Sequence, residues 1–320
     1  MTLRHPPTAA DLGLLLVGHG TRDTEGLGEF RQLAESFAQA ATRVAVEVCF
    51  LELAEPTIQQ GIARLMERGV RRVIVLPLLL FSAGHAQRDI PQAVRAALEA
   101  LAKGQASRRN GSLPDRIWQA PVLACHPDII ELSARRYIDA VTRADSAALA
   151  DGMNRTGIPA AKTLLLMVGR GSNAAEANAE FVRFAQSRCE QVPVGELQTC
   201  FVAMARPTLD EGLRMAGSRP FERIVVQPHL LFPGELLHGI RAAVGAARQR
   251  APDRQWIVTE PLGADGLLVR ALLSRAGLEG ALESDSNELQ TTASSNATVH
   301  PFLVESVGLR ADLALPEPNV

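Results

Sequence analysis

Two histidines, each beside glycine, stand either side of a glutamate: Gly18-His19-Gly20, Glu52 and Gly84-His85, with 33 residues from the glutamate to each histidine. Neutral imidazole nitrogens and a carboxylate oxygen suit a borderline divalent ion, and three such ligands leave coordination positions open for water or substrate. Glycines flanking a histidine let the chain turn sharply and let a bulky ligand approach the ring. A lone histidine at a strand end is more often a hydrogen-bonded core residue than a ligand, and a lone glutamate more often a surface or capping group. Two histidines, each beside a glycine at equivalent strand ends, weigh as much for a shared site as for core roles. Nearby polar residues carry less. Glu55 is expected to be first-turn helix decoration just ahead of Pro56. His126, in Cys-His-Pro-Asp, reads as a turn before a helix, Cys125 has no partner at metal spacing, and His5 and His300 sit in the terminal segments.

The elements that would carry these residues occur twice. LLLVGHGT (14–21) recurs as LLLMVGRGS (164–172), FLELAEPT (50–57) as FVAMARPT (201–208), and VIVLPLLLF (73–81) as IVVQPHLLF (224–232), all at an offset of 151 residues. Three blocks in constant register imply a tandem duplication, and two copies are too few for a solenoid, so two similar domains facing each other are expected. In the first copy, strands are expected at 13–18, 44–51, 72–79 and 117–123, with helices at 26–42, 56–68, 88–103 and 127–143. The second copy places strands near 164–169, 197–203, 223–229 and 256–260, and helices near 174–190, 208–216, 235–249 and 265–276. The apolar runs are nearly continuous, as in parallel strands covered on both faces. Strand–helix alternation makes the fold class α/β, with an open, mainly parallel sheet flanked by helices in each half. The expected organisation is a first domain over 1–150, a second over 151–280, a linker within 144–162, and a polar, loosely ordered tail over 281–320.

Ligands of open α/β sheets bind beyond the carboxyl ends of the strands, where His19, Glu52 and His85 all fall. The second copy replaces all three. His19 corresponds to Arg170, Glu52 to Ala203, and His85 to Glu235 if one residue is missing from the loop, whereas Gly169, Gly171, Pro207, Pro228 and Phe232 keep the frame. A guanidinium at 170 suits carboxylates, and Glu235 could accept or relay a proton. His229 and His238 fall in the same region and read as core or surface residues.

The composition of the whole chain is that of a folded protein with a full core. Its 320 residues are 47% hydrophobic and 21% charged, enough for a full core and unlike a disordered chain. With 33 basic against 35 acidic side chains, the formal charge of −2 creates no global field for nucleic acid or anionic lipid. The longest apolar run, Val73 to Phe81, is nine residues with a proline inside, far below a membrane span. The N-terminal segment lacks the apolar core of a signal peptide. Four isolated cysteines argue against a disulfide framework or a thiolate-bound metal. A cytoplasmic location, with no nucleic-acid or membrane partner, is therefore expected.

VGHGTRD, FLELAEPT and LPLLLFSAGHAQRDI together resemble the class II tetrapyrrole chelatases, specifically the CbiX/SirB sirohydrochlorin chelatase family. The repeat over about residues 12–278 resembles the long form, in which two chelatase-like copies share one chain. The resemblance implies a lyase that inserts Co²⁺ or Fe²⁺ into sirohydrochlorin, in cobalamin or siroheme biosynthesis, with the metal as substrate and no organic cofactor. It implies His19, Glu52 and His85 as metal ligands, one metal site per chain, and a monomer acting as a fused pseudo-dimer. Unlike some long members, the chain has no iron–sulfur cysteine motif and no histidine-rich tract. His19, His85 and Glu235 are the candidates for proton transfer, and Arg170, Arg22, Arg88 and Arg206 for the carboxylate rim, by charge-assisted hydrogen bonds. Leu80 and Phe81 would line the cleft. Two alternatives are a histidine-phosphatase-like enzyme, disfavoured because Gly18 stands where a phosphate-holding arginine belongs, and a metal storage or delivery protein using the same three ligands. A nucleotide-binding protein is weaker still, because neither G-x-G-x-x-G nor a P-loop follows the first strand.

Overall fold

A computed structural model describes residues 11–42, 44–82, 84–105, 113–150, 157–278 and 304–305. The first half runs β1 (Leu12–Gly18), α1 (Thr24–Ala40), β2 (Ala45–Phe50), α2 (Ile58–Glu67), β3 (Arg72–Pro77), a π-helical turn (His85–Asp89), α3 (Ile90–Gln105), β4 (Arg116–Gln119) and α4 (Pro127–Ala150). The second half repeats it as β5 (Thr163–Gly169), α5 (Ala175–Gln191), β6 (Glu196–Phe201), α6 (Leu209–Ser218), β7 (Arg223–Pro228), α7 (Glu235–Arg250), β8 (Gln255–Val258) and α8 (Gly266–Arg275). The sheets are ordered β2-β1-β3-β4 and β6-β5-β7-β8, with every one of these pairings parallel. Helices cover both faces, and Leu14–Val17 and Leu164–Val168 are wholly buried, which is why the strands lack polar alternation.

Local chemistry starts the helices where the sequence says it should. Thr57 and Gln60 form a reciprocal capping box at α2, and Thr208 and Glu211 form the same box at α6. Glu55 therefore lies outside the helix, ahead of the cap, and not in its first turn. Asp23 caps α1 by accepting from the Gly26 amide at 2.8 Å.

Two expectations change. The stretch 144–162 is not all linker, because α4 continues to Ala150. The alanine-rich sequence ADSAALA is a good helix former, and its propensity carries the helix on. In the tail, Val304–Glu305 forms β9, pairing antiparallel with β4; the remaining tail positions, 281–303 and 306–320, lie outside the described residues.

The halves exchange their last helices. α8 packs on α1, α4 packs on α5 and on the β7–β8 edge, and α4 and α8 pack against each other. A continuous core runs across the junction, joining Phe30, Leu33 and Phe37 to Leu268 and Leu272. Arginines lock the exchange reciprocally. Arg136 of α4 donates to the Pro261 and Leu262 carbonyls and pairs with Asp265, while Arg275 of α8 donates to the Leu123 carbonyl at 2.9 Å. Arg136 and Arg275, like Leu123 and Leu262, stand 139 residues apart, so the register of the repeat changes before its last strand and helix. Among the described residues, no helix is long and apolar enough to cross a membrane.

Candidate functional site

The first-repeat site is built by two loops clamped at the backbone. The Leu51 amide donates to the Gly18 carbonyl at 2.9 Å, and the Glu52 amide to the His19 carbonyl at 3.1 Å. Gly20 permits this approach: its φ is +96°, and a Cβ there would stand 1.7 Å from the Glu52 carbonyl oxygen. Past Glu52 the chain reverses through a tight turn, in which the Ala54 amide donates to the Glu52 carbonyl at 2.8 Å around Leu53, held at φ +62°. The result is a side-chain contact, with His19 Nε2 3.3 Å from Glu52 Oε1. His19 Nδ1 lies 3.1 Å from the Gly20 carbonyl; with the proton on Nδ1 it donates there, and the Nε2 lone pair lies on the Glu52 side of the ring.

The second repeat reproduces the frame. The Val202 and Ala203 amides donate to the Gly169 and Arg170 carbonyls, Gly171 has φ +86° with the Ala203 oxygen 1.8 Å from a notional Cβ, and Met204 sits at φ +60°. Leu53 and Met204 are both exposed, at 52% and 62%. Arg170 and Ala203 occupy this identical scaffold, so it holds no imidazole and no carboxylate at those positions.

His85 opens the π-helical turn at the carboxyl end of β3, and its side chain lies outside what the structure describes. A π turn accommodates one extra residue within a helix and often marks a functional position. The buried positions locate that extra residue: Ala86 matches Leu237 at the offset of 151, whereas Ile90, Val94 and Ala97 match Ile240, Val244 and Ala247 at 150. By this register the insertion is inside the turn and not in the preceding loop, so His85 corresponds to Leu236 and not to Glu235. Among the described residues, no three His, Cys, Asp or Glu side chains form a metal cluster.

Two connected cavities, about 470 and 370 Å³, lie between the halves and share His19, Leu78, Arg170 and Leu231. The larger is walled by Leu80, Phe81, Arg88, Ser172, Asn178, Phe181 and His229; the smaller by Thr21, Leu27, Phe30, Phe50 and Phe232. Thus Arg170 and Arg88 reach the cleft, and Leu80 and Phe81 line it as expected. Arg88 folds back over Gly84, its guanidinium 3.1 Å from where a Cβ would stand. The other candidates stand elsewhere. Arg206 is 80% exposed and paired with Glu211 at 2.5 Å, so the α6 cap holds its guanidinium; the S/T-x-x-E pattern at 208–211 was the sequence signal for this. Arg22 is exposed beside the α1 cap, Glu235 is exposed at the start of α7, and neither is among the cavity-lining residues. His126 is a turn residue, its Nδ1 accepting from the Asp128 amide at 3.2 Å, and His238 is exposed on α7. A third cavity, about 530 Å³, is walled by Glu29, Asp139 and Glu260 around Arg136, and that arginine is already bound to the 261–265 loop.

His229 was ambiguous in sequence and is decided by the structure. It is 3% exposed, and among the described residues neither ring nitrogen has a partner. Burial pushes its pKa down to about 3, so the imidazole is neutral. The four cysteines are free. Burial raises the Cys49 thiol, and lifts the equivalent Cys200 to about 12, which makes both inert core residues.

The CbiX family model matches residues 13–140 and again 164–277. The chain belongs to the CbiX family. A sirohydrochlorin ferrochelatase of Priestia megaterium is 31% identical over 272 residues, spanning 82% of this chain and 91% of the relative. A sirohydrochlorin cobaltochelatase of the same organism is 26% identical over 280 residues, spanning 87% and 83%. The fold matches that of SirB from Bacillus subtilis with Fe³⁺, at a TM-score of 0.69 and 24% identity over 86% of this chain and 97% of that one. Membership of this family removes the histidine-phosphatase alternative, in which the His19 loop would have carried a phosphoryl group.

Proposed function

We infer that this CbiX-family chain is a sirohydrochlorin chelatase, a lyase that inserts Co²⁺ or Fe²⁺ into sirohydrochlorin. The observation that carries the reading is the His19–Glu52 contact of 3.3 Å at the mouth of a largely apolar cleft between two repeats. The relatives are named for both iron and cobalt, and a histidine–carboxylate ligand set accepts either ion.

The chemistry follows from the residue types. His19 and His85 bind the hydrated ion as neutral imidazoles, and Glu52 offsets its charge while replacing water. The flat macrocycle lies between the halves against Leu80 and Phe81, with Arg170 and Arg88 meeting its carboxylates. As the ion passes into the ring, two pyrrolic protons leave: an imidazole released from the metal takes one, and water displaced from the ion carries the other to solvent. Glu235, exposed at the start of α7, stays outside this scheme. Both halves wall the cleft, so one chain suffices and acts as a monomeric pseudo-dimer, consistent with a cytoplasmic enzyme. The test is the spectral change on metallation of sirohydrochlorin with Co²⁺, then Fe²⁺. His19→Ala is expected to lower the enzyme-dependent rate at least ~100-fold, as for loss of a group acting on the transferred ion. An unchanged rate excludes His19 from the reaction. Cobalt binding without any tetrapyrrole turnover by the natural chain would instead identify a metal storage or delivery protein.

A further inference from the structure

The neutral, unpartnered imidazole of His229 is an anomaly of the second repeat. It follows β7, its amide donating to the Val168 carbonyl at 2.9 Å; Leu78 of the first repeat follows β3 and makes the same bond to Val17. The backbone thus accepts leucine at this position. The surroundings are equally apolar, since His229 stacks on Phe184 at 4.0 Å between centroids, with Phe81 at 5.2 Å and Phe181 at 6.0 Å. Among the described residues, burial alone perturbs the ring, with no neighbouring charge contributing. A buried donor and acceptor left without partners destabilise the fold, and such exceptions concentrate at functional sites.

Two features give the exception a direction. His229 is part of the wall of the larger cavity, alongside Arg170 and Ser172. Of the three phenyl rings around it, Phe181 and Phe184 are buried in α5, whereas Phe81 is half-buried and comes from the first repeat's loop leading to His85. Phe81 is therefore the one of the three rings that covers His229 from the opposite half and borders the cleft.

We propose that His229 is a substrate-binding residue, whose ring N–H donates to an oxygen of a sirohydrochlorin carboxylate arm once Phe81 moves aside, with Arg170 meeting the charge of that arm. A neutral donor and a guanidinium together suit a carboxylate better than two cations crowded in an apolar wall. The assignment rests on the chelatase reading of the cleft.

The test uses the full chain with metal-free sirohydrochlorin, followed by fluorescence, alongside urea unfolding and metallation kinetics. His229→Leu places in the second repeat the side chain that the first already tolerates. It is expected to leave the unfolding midpoint equal or higher, to raise Kd and KM for sirohydrochlorin about tenfold, the worth of one hydrogen bond to a charged group, and to change kcat less than twofold. His229→Asn, which keeps a donor, recovers most of the affinity. Unaltered Kd and KM in His229→Leu, or a loss of affinity that tracks a loss of stability in both variants, overturns the proposal alone. Failure of the natural chain to bind sirohydrochlorin overturns the chelatase reading together with it.

Discussion

The two repeats carry one backbone and two chemistries. Both clamp the first and second strand loops through a left-handed glycine, both hold a large apolar residue in a left-handed turn, at Leu53 and Met204, and both bury a strand cysteine against a glycine of a capped helix, Cys49 on Gly61 and Cys200 on Gly212. On this frame the first repeat sets His19 against Glu52 over an apolar floor. The second sets Arg170 beside Ala203, and turns Leu27 into Asn178 and Leu78 into His229. Asn178 is already committed, bonding the Ser172 amide and carbonyl and so holding the Arg170 loop. On the proposed chelatase reading, the first half holds the cation, and Arg170 and His229 of the second, with Arg88 of the first, meet the ring's carboxylates. The frame is the expensive part to form; the ligands are few side chains at its edge, which explains how a duplicated site diverges without a change of fold.

The largest effect separating frame from chemistry is expected at the glycines. Gly20→Ala and Gly171→Ala each place a Cβ less than 2 Å from a carbonyl oxygen in a left-handed conformation, so each should cost ~3 kcal/mol in urea unfolding. Gly20→Ala should also abolish cobalt binding by parting Glu52 from His19, whereas Gly171→Ala should leave it intact. Equal loss of metal binding in both would mean that the repeats share the metal.

The next effect concerns pH. The folded pKa of His229, about 3, lies below its ordinary value of 6.5, so the unfolded chain takes up the proton first as the solution is acidified. Stability present above pH 6.5 is lost progressively between 6.5 and 3, about 2 kcal/mol by pH 5. Urea midpoints of the natural chain should fall over that range more steeply than those of His229→Leu, and parallel curves would show that the imidazole is protonated or partnered in the fold.

The smallest is Arg170→Ala, expected to raise KM for sirohydrochlorin about tenfold, as for a lost charge-assisted hydrogen bond, with little change in kcat. A fall in kcat at constant KM would move Arg170 from the carboxylate rim into the chemical step.

Much of this was legible because the first three strands of each half are written twice at one offset, with glycine and proline fixing the turns between them. The His19–Glu52 contact could be anticipated, since parallel neighbours β1 and β2 bring their carboxyl ends together. Long-range relations were hidden. The reciprocal Arg136 and Arg275 bonds follow a second offset of 139, because the segment before β4 is longer than that before β8, and exchange of α4 and α8 leaves no local pattern. The match of His85 to Glu235 failed because a gap placed in a loop looks the same in sequence as one absorbed by a π turn. Proximity of Arg206 to a motif says nothing of which way its side chain points: it pairs with Glu211 and lines neither cavity between the halves. His229 had a visible signal, a polar residue in QPHLLF where the first repeat reads LPLLLF, but whether it was buried could come only from the fold.

The most direct measurement is the cobalt stoichiometry of the full chain, read from visible ligand-field bands and calorimetry on the natural protein, His19→Ala, His85→Ala and Arg170→Ala. One ion per chain, lost in both histidine variants and retained in Arg170→Ala, is the predicted result. Two ions per chain, or one that survives loss of both histidines, would contradict a single metal site confined to the first repeat.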